Sequence, residues 1–423
     1  MTSAEAEVVG QDRPTPVGEE PTGAAGLYRR ALENAKAGNL GVLPIVVGEI
    51  FIVVFFAFKA TNFFTAENFI NIVIQMAGTT MLAYGVVFVL LLGEIDLSVS
   101  YVSGIGALVA AEFVLPGSGH VVPGGGLVAI AAAIAICAAI GAAQGSIVAY
   151  VGVPSFVVTL AGFLIWQGVI LRQLQARGSI NINDRWINYM AGYYFSPTAG
   201  WVIAAVVTGG YAAFTFAALY GKRRAGLAVQ NPVVVLLKVL GVAAASFGVV
   251  AICNHANIFG RTTGLPLAGL IIVIFLVVLT YLAKRTTFGR HVYAVGGNAE
   301  AARRAGINVP RIRVLVFILA SGLAAIGGII LAANIQAVSS DAGGGTLLLN
   351  AIAAAVIGGT SLFGGRGEVR SAFLGAMVIA TVANGLDTAG YNPGTIYIVT
   401  GIILLLAVTL DTIARRLQVR AGR

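Results

Sequence analysis

The sequence predicts an all-α polytopic membrane protein with about 12 transmembrane or broken helices and with both termini in the cytoplasm. Composition is the first reason: 58% of the 423 residues are hydrophobic and only 10% are charged, whereas soluble domains carry about 25% charged residues. A soluble fold of this length could not hide so much apolar surface from water. The spacing of apolar runs and the placement of basic residues are the second and third reasons, and they follow in chain order.

The N-terminal segment 1–38 is mostly polar and rich in Pro, Gly and Glu, so we expect a disordered or amphipathic cytoplasmic segment. It contains no apolar h-region, so we expect no cleaved signal peptide and an uncleaved anchor in the first apolar run. Residues 39–411 are expected to form a single transmembrane domain. Residues 412–423, which include Arg415 and Arg416, are expected to be a basic cytoplasmic tail.

Apolar runs that could span a bilayer recur throughout residues 39–411. A spanning helix needs roughly 20 mainly apolar residues, and the predicted spans are 40–58, 68–92, 99–115, 126–151, 154–171, 200–220, 233–253, 266–283, 314–333, 346–362, 370–387 and 394–411. The spans at 99–115 and 346–362 are short, and each could be a broken or re-entrant helix. An even number of spans places both termini on one side. Most of the 26 Lys and Arg residues then lie in segments assigned to the cytoplasm, as the positive-inside rule requires.

Two hydrophilic segments interrupt the apolar pattern. Segment 284–313 is expected on the cytoplasmic side, and segment 172–199 on the external side. The external segment contains Trp186 and Tyr189 among polar residues, and such aromatic residues favour the bilayer interface. This segment could be an interfacial helix or lid on the outer face, or a connector that its aromatic residues anchor.

The sequence contains no motif for enzymatic chemistry. It lacks the GxxxxGK[ST] phosphate loop as well as GxSxG and HExxH, so we expect no catalytic residues and no nucleotide bound by this chain. The three His residues are far apart, and Cys137 and Cys253 each lie inside an apolar run. We therefore expect no metal site and no cofactor in this chain. The net charge of +9 is attributed to membrane topology rather than to nucleic-acid binding.

Polar residues inside the spans are candidates for a translocation path. Segment 93–98 breaks the apolar pattern, and its Asp96 or Ser98 could cap the next helix or lie near such a path. Buried carboxylates are few, which weakens the case for an ion-coupled transporter. Uncharged polar residues in spans are commonly interhelical hydrogen bonds, but as a set they fit a neutral hydroxylated solute better than an ion. The candidate path residues are Asp96, Ser98, Gln75, Asn334, Asn350 and Asn384.

One motif within segment 284–313 resembles a known family. The EAAxxxG loop of ABC importer permeases is matched by Glu300, Ala301, Ala302 and Gly306. In that family the loop forms a short coupling helix that docks into a groove of a separate ATPase subunit. The resemblance implies that these four residues form an ATPase-coupling loop in this chain.

Two further motifs resemble those of the ribose/xylose-type sugar permeases, which belong to the branched-chain amino acid permease superfamily. Segment 93–98 looks like their GGIDLSVG signature, although Glu94 replaces the usual second glycine and Ser100 stands near the usual final one. Segments 358–361 and 364–367 resemble their GG-S-x-x-GG-x-G stretch. The departure at Glu94 adds a charge near the suspected path.

The resemblance implies the transmembrane permease subunit of an ATP-driven sugar importer, for a pentose such as xylose. An extracytoplasmic sugar-binding protein would deliver the solute, and separate ATP-binding cassette ATPase subunits would bind ATP. The resemblance also implies a homodimer or heterodimer of permeases in a bacterial plasma (inner) membrane. A branched-chain amino acid permease and an ion-coupled secondary transporter remain alternatives.

Overall fold

Helices make up most of the computed structural model, which describes residues 43–420 except 118, 120, 122–124, 228–230 and 259–260. The predicted segment 1–38 and the last three residues of the predicted basic tail lie outside the described residues. The helices are α1 (Leu43–Lys59), α2 (Ala66–Leu91), α3 (Val99–Val114), α4 (Gly126–Ser146), α5 (Ser155–Leu174), α6 (Arg185–Gly192), α7 (Pro197–Arg224), α8 (Pro232–His255), α9 (Leu267–Arg285), α10 (Thr287–Gly297), α11 (Ala299–Arg304), α12 (Val309–Ile335), α13 (Leu347–Ile357), α14 (Val369–Thr388) and α15 (Pro393–Arg420).

Eight helices in the described part of the chain are long and apolar enough to cross a membrane, which agrees with a polytopic membrane protein. They are α2, α4 with its π-helical end (Ile147–Val151), α5, α7, α8, α9, α12 and α14. The two spans predicted to be short are short in the structure too, since α3 has 16 residues and α13 has 11. The final helix continues to Arg420, beyond the predicted end of its span at 411.

Two short antiparallel ribbons, which the sequence did not predict, join loops between the helices. Strand β1 (Ser179–Asn181) pairs with β4 (Ala337–Ser339), and β2 (Asn257–Ile258) pairs with β3 (Arg261–Thr262). In the first ribbon Ile180 lies opposite Val338, and both side chains are buried. The β1–β4 ribbon therefore fastens the loop after α5 to the end of α12.

Helix α12 lies at the centre of the bundle and contacts α2, α3 and α4. Glycines allow these helices to approach closely: a Cβ atom on Gly328 would lie 1.9 Å from the carbonyl oxygen of Ser103 on α3. On α4, a Cβ atom on Gly141 would lie 2.3 Å from the carbonyl oxygen of Phe317. Membrane helices associate through such small-residue contacts because lipid provides no hydrophobic driving force between them.

Segment 172–199, for which the sequence allowed either a helix or a connector, contains the helix α6. Helix α6 begins after Asp184, whose carboxylate accepts hydrogen bonds from the backbone amides of Trp186 and Ile187. Its apolar side buries Ile187 and contacts α4, α9 and α12, while Trp186 is 41% exposed. The segment therefore contains an amphipathic helix that packs on the bundle. Its predicted place at the bilayer interface and its role as a lid or as a connector stay predictions.

The two ends of α12 carry different structures. Its first residue follows α10 and α11, which occupy the predicted loop 284–313, and its last residue precedes β4. A helix of 27 residues is about 40 Å long at 1.5 Å per residue. The predicted coupling loop and the β1–β4 ribbon therefore lie at opposite ends of the central helix.

Candidate functional site

The predicted coupling residues form the short helix α11 and the turn that follows it. Asn298 caps this helix by accepting the backbone amide of Ala301 at 2.9 Å. Ala302 is buried, whereas Glu300 is exposed and pairs with Arg303 and Arg304 of its own helix. The chain turns away at Gly306, whose φ of 84° lies in the left-handed region that favours glycine. Helix α11 thus buries Ala302 and presents an exposed face that carries Glu300 and Ala301.

The end of α10, just before α11, touches the end of α2 through backbone atoms. A Cβ atom on Gly296 would lie 1.7 Å from the carbonyl oxygen of Leu91 and 2.9 Å from the backbone nitrogen of Gly365. The Gly365 amide itself donates a hydrogen bond to the same Leu91 carbonyl at 2.9 Å. No side chain larger than that of glycine fits at Gly296 unless the backbone moves.

The two glycine-rich motifs meet at the same place. A Cβ atom on Gly364 would lie 2.7 Å from the Gly296 carbonyl oxygen and 3.0 Å from the Gly93 backbone nitrogen. Gly93 and Gly364 both have positive φ, at 75° and 86°. We call this contact of residues 91–93, 296–297 and 364–365 the glycine junction. It joins segment 284–313 to both of the glycine-rich motifs, at 93–98 and at 364–367.

Three side-chain interactions surround the glycine junction. Arg313 Nε lies 3.0 Å from Glu94 Oε1, with the two side chains 29% and 14% exposed. The Tyr293 hydroxyl donates to the Gly367 carbonyl at 2.8 Å, and Lys284 Nζ lies 2.6 Å from Glu368 Oε1. Segment 284–313 therefore holds segment 93–98 at one point and segment 364–368 at two.

Electrostatics favours these contacts near neutral pH. Burial raises the pKa of the Tyr293 hydroxyl and the nearby Glu368 carboxylate raises it further, so the hydroxyl stays protonated and can donate. Burial also raises the pKa of Glu368, but hydrogen bonds and charges from Arg370 and Lys284 outweigh burial and the net pKa is lowered. Because folding lowers the pKa of Glu368, its ionised carboxylate stabilises the folded chain at neutral pH. This stabilisation is lost as the pH falls through the lowered pKa and the carboxylate becomes protonated.

The broken segment between α2 and α3 contains a cluster of polar side chains. Asp96 Oδ1 accepts the backbone amide of Ser98 at 2.9 Å and lies 2.6 Å from the Ser98 hydroxyl. Gln144 Oε1 on α4 lies 2.9 Å from the same hydroxyl. Ser155 and Thr159 of α5 bond to the backbone of residue 95. The Asp96 carboxylate thus accepts a backbone amide just before α3 begins. The Ser98 hydroxyl makes no capping hydrogen bond to the backbone of α3.

The structure does not join the other candidate path residues to this cluster. Gln75 and Asn334 are exposed, and Asn350 is half-buried with its amide 3.3 Å from the Thr346 hydroxyl. Asn384 is buried and accepts a hydrogen bond from Asn68 Nδ2 at 2.8 Å. Within the described residues no hydrogen bond links these four side chains to one another or to Asp96 and Ser98. A role in translocation stays a prediction for all six.

Sequence reasoning missed the residues that connect the coupling segment to the rest of the chain. The sequence gives no direct sign that Gly296 and Arg313 are site residues, except that Gly297 lies three residues before Glu300 of the EAA motif. The sequence contains one further indication, which concerns the contact with Arg313. Glu94 stands where the family has a glycine, and a carboxylate next to an apolar span usually has a basic partner. No group of three or more metal-ligating residues occurs within the described chain.

Comparison with known proteins places the chain in a family. Residues 68–408 match the family described as branched-chain amino acid transport system / permease component. The xylose transport system permease protein XylH of Escherichia coli is 35% identical over 383 residues, which cover 90% of this chain and 94% of that protein. XylH of Haemophilus influenzae is 36% identical over 381 residues, with 89% and 97% of the two chains covered.

The ribose import permease protein RbsC of Escherichia coli is 33% identical over 351 residues, which cover 83% of this chain and 87% of that protein. No solved structure matches the chain. The family predicted from the three motifs is thus confirmed over most of the sequence. The chain belongs to the family of branched-chain amino acid transport system permease components.

Proposed function

We propose that this chain is the transmembrane permease subunit of an ATP-driven importer for a small sugar, a pentose such as xylose. The structural feature that best supports this is the glycine junction, which fastens the EAA segment to both sugar-permease motifs through backbone contacts. The full-length relatives named for xylose and ribose transport support a sugar rather than a branched-chain amino acid. Because these relatives are transport permeases, the chain is a transport subunit and not an enzyme.

The junction suggests how an ATPase could drive the bundle. One ATP-binding cassette subunit would dock on each permease chain, at the exposed face of α11, whose Glu300 and Ala301 are solvent-accessible. When these subunits close on ATP, they would displace α10 and α11. Since Gly296 contacts Leu91 and Gly365, that displacement would reach α2 and the loop before α14 together. The short helices α3 and α13, which lie next to these loops in the chain, would then move and open the translocation path to the opposite side of the membrane.

The proposed arrangement in the membrane follows from the same reading. The chain would cross a bacterial inner membrane about 12 times, with both termini and segment 284–313 in the cytoplasm. Two permease chains, identical or related, would form the pore. A sugar-binding protein would dock on the external face, which would carry α6 and the β1–β4 ribbon. This chain would bind no ATP and no nucleic acid itself.

Uptake of labelled sugar tests the proposal directly. Cells that express the chain with its ATPase and binding protein should take up D-xylose faster than D-galactose or L-leucine, and uptake should require ATP hydrolysis. An uncoupler should leave the uptake intact while ATP is maintained. Uptake that persists without the ATPase, or that stops with the uncoupler alone, would instead identify an ion-coupled secondary transporter.

Two substitutions test the coupling helix within that assay. Gly306→Arg places a long charged side chain at a position whose left-handed backbone conformation favours glycine. Glu300→Lys reverses the charge of an exposed side chain and removes two ion pairs within α11. Both variants should insert normally and lose uptake. Normal transport by both variants would remove the coupling role from α11 while leaving the sugar assignment untouched.

A further inference from the structure

A cleft of about 440 Å³ lies at the end of α12 that is remote from the coupling segment. It is bounded by the loop after β1, by α6 and by the last turn of α12. The lining residues are Asn181, Ile182, Asn183, Asn188, Ile335 and Gln336. Four of these six side chains are carboxamides, so the cleft is neutral and strongly polar.

We call this cleft the amide cleft, and its carboxamides have hydrogen-bonding capacity that the chain itself does not use. Each carboxamide offers two N–H donors and one carbonyl acceptor. Asn188 Nδ2 donates to the Ile182 carbonyl at 2.8 Å, and its buried Oδ1 has no partner in the described part of the chain. The side chains of Asn181, Asn183 and Gln336 are exposed and make no hydrogen bond to another described residue. The exposed carboxamides of Asn181, Asn183 and Gln336 therefore present donors and acceptors together at the cleft, as the hydroxyl groups of a sugar require.

The backbone at the cleft is held in an unusual conformation. Gln336 has a φ of 54°, and it is the only described residue other than glycine with a positive φ. Its carbonyl accepts the Ile182 amide at 2.8 Å, next to the β1–β4 ribbon. Non-glycine residues persist in the left-handed region where the surrounding structure imposes it, and such positions cluster at binding sites.

A second cleft of about 380 Å³ at the other end of the same ribbon provides a contrast. Its lining includes Leu171, Leu174 and the charged Arg172, and it exposes mainly apolar surface. The amide cleft has no charged residue in its lining, exposes mainly polar surface, and has a volume in the range of about 300–1,000 Å³ that is usual for small-molecule sites. The two ends of the ribbon therefore differ in chemistry, with a neutral polar cleft at one end and a more apolar cleft that includes Arg172 at the other.

We propose that the amide cleft is a low-affinity entry site for a neutral monosaccharide on the external face of the permease. The carboxamides would exchange hydrogen bonds with sugar hydroxyl groups, and Ile335 would lie against the C–H face of the ring. The cleft residue Ile335 directly follows Asn334, a candidate path residue. A sugar bound here would therefore lie at the external end of the helical bundle. This inference rests on the proposed function and adds the place where the solute first meets the chain.

Thiol protection tests the site without relying on transport. Both native cysteines are fully buried, so an introduced cysteine can be labelled selectively. Asn183→Cys lies in the cleft, and Asn62→Cys is an exposed control in the loop between α1 and α2. The full chain with its ATPase, in right-side-out vesicles without the binding protein, is treated with a membrane-impermeant maleimide. D-xylose at saturation should slow labelling of the first variant at least threefold and leave the control unchanged, and L-leucine should slow neither.

A second substitution measures the contribution of Gln336 in the same vesicles. Gln336→Gly removes the carboxamide while tolerating the positive φ, whereas Gln336→Asn keeps a carboxamide there. On the Asn183→Cys background, the D-xylose concentration that gives half-protection should rise about fivefold with glycine, as expected for one lost hydrogen bond. It should return to within about twofold with asparagine.

The outcomes separate this inference from the proposed function. Absence of protection by D-xylose in a chain that supports ATP-dependent xylose uptake would overturn the entry site alone. Protection by the sugar-free binding protein but not by free D-xylose would also overturn it, because the cleft would then be a docking face. Absence of ATP-dependent uptake by the unmodified importer would overturn the proposed function, whatever the labelling result.

Discussion

Helix α12 and the α7–α8 pair are comparably apolar but have opposite surroundings. In their most apolar stretches, 67% of α12 is buried, against 6% of α7 and 11% of α8. The pair packs mainly on itself, through the stacked rings of Trp201 and Phe247 and a hydrogen bond between Thr208 and Ser246. Apolar content therefore identifies helices suited to a membrane without distinguishing the centre of the bundle from its edge.

The glycines make the distinction that hydropathy does not. On α12, Cβ atoms at Gly327 and Gly328 would collide with α2 and α3. On α7, Cβ atoms at Gly209 and Gly210 would meet no described atom within 4 Å. Paired glycines thus mark a helix–helix contact in one region and an open surface of the chain in the other, and the predictions below test that difference.

The largest effect is expected from a bulky side chain at the central contact. Gly328→Leu places a side chain where a Cβ atom alone would lie 1.9 Å from the Ser103 carbonyl. Overpacking a tight contact costs about 3 kcal/mol or more when backbone must move, so little folded protein should reach the membrane. The matched variant Gly210→Leu on α7 should accumulate as the unmodified chain does. Membrane levels and thermal stability in detergent check this, and equal levels of the two variants would contradict it.

An intermediate effect is expected at the glycine junction, where the chain provides adjacent test and control positions. Gly296→Ala would bring a methyl group within 1.7 Å of the Leu91 carbonyl, whereas Gly297→Ala meets no described atom within 4 Å. The first variant should insert but reduce ATP-dependent uptake about tenfold or more, because separating the junction costs well over 1.4 kcal/mol. The second should transport normally, and equal uptake by the two variants would contradict a role for the junction in coupling.

The smallest effect is expected from the ion pair at the start of α12. Glu94→Gln or Arg313→Gln should each change uptake by about fivefold, since a partly buried ion pair contributes about 1 kcal/mol. The double exchange Glu94→Arg with Arg313→Glu should restore most of the loss, which a double-mutant cycle measures. Arg223→Gln at the exposed end of α7 is the control for loss of a basic residue. Equal losses in the single and exchanged variants would exclude a specific pairing.

The sequence allowed good predictions of the local structure. The span predicted at 126–151 matches α4 and its π-helical end, and the EAA match at Glu300 forms a capped helix that ends at Gly306. These features depend on hydrophobic runs and on turn residues that are near in sequence. The helical, polytopic character and the family followed from them.

Contacts between distant residues could not be predicted in this way. Asn384 bonds to Asn68, 316 residues away, and the ribbon pairs Asn181 with Ala337. Hydropathy indicates that a residue is inside the membrane but not which helix it faces. The pairing of Glu94 with Arg313 and the contact of Gly296 with Leu91 depend on the packing of whole helices, which a single sequence does not specify.

The glycine junction consists of backbone atoms, and this has a mechanical consequence. A contact between side chains can absorb a small displacement by changing rotamer, and about three staggered states are available at each torsion. Backbone atoms in van der Waals contact have no such freedom, so the linkage has no slack. A movement of α10 of even a few tenths of an ångström must shift the neighbouring turns at 93 and 364 by a similar distance or break the contact.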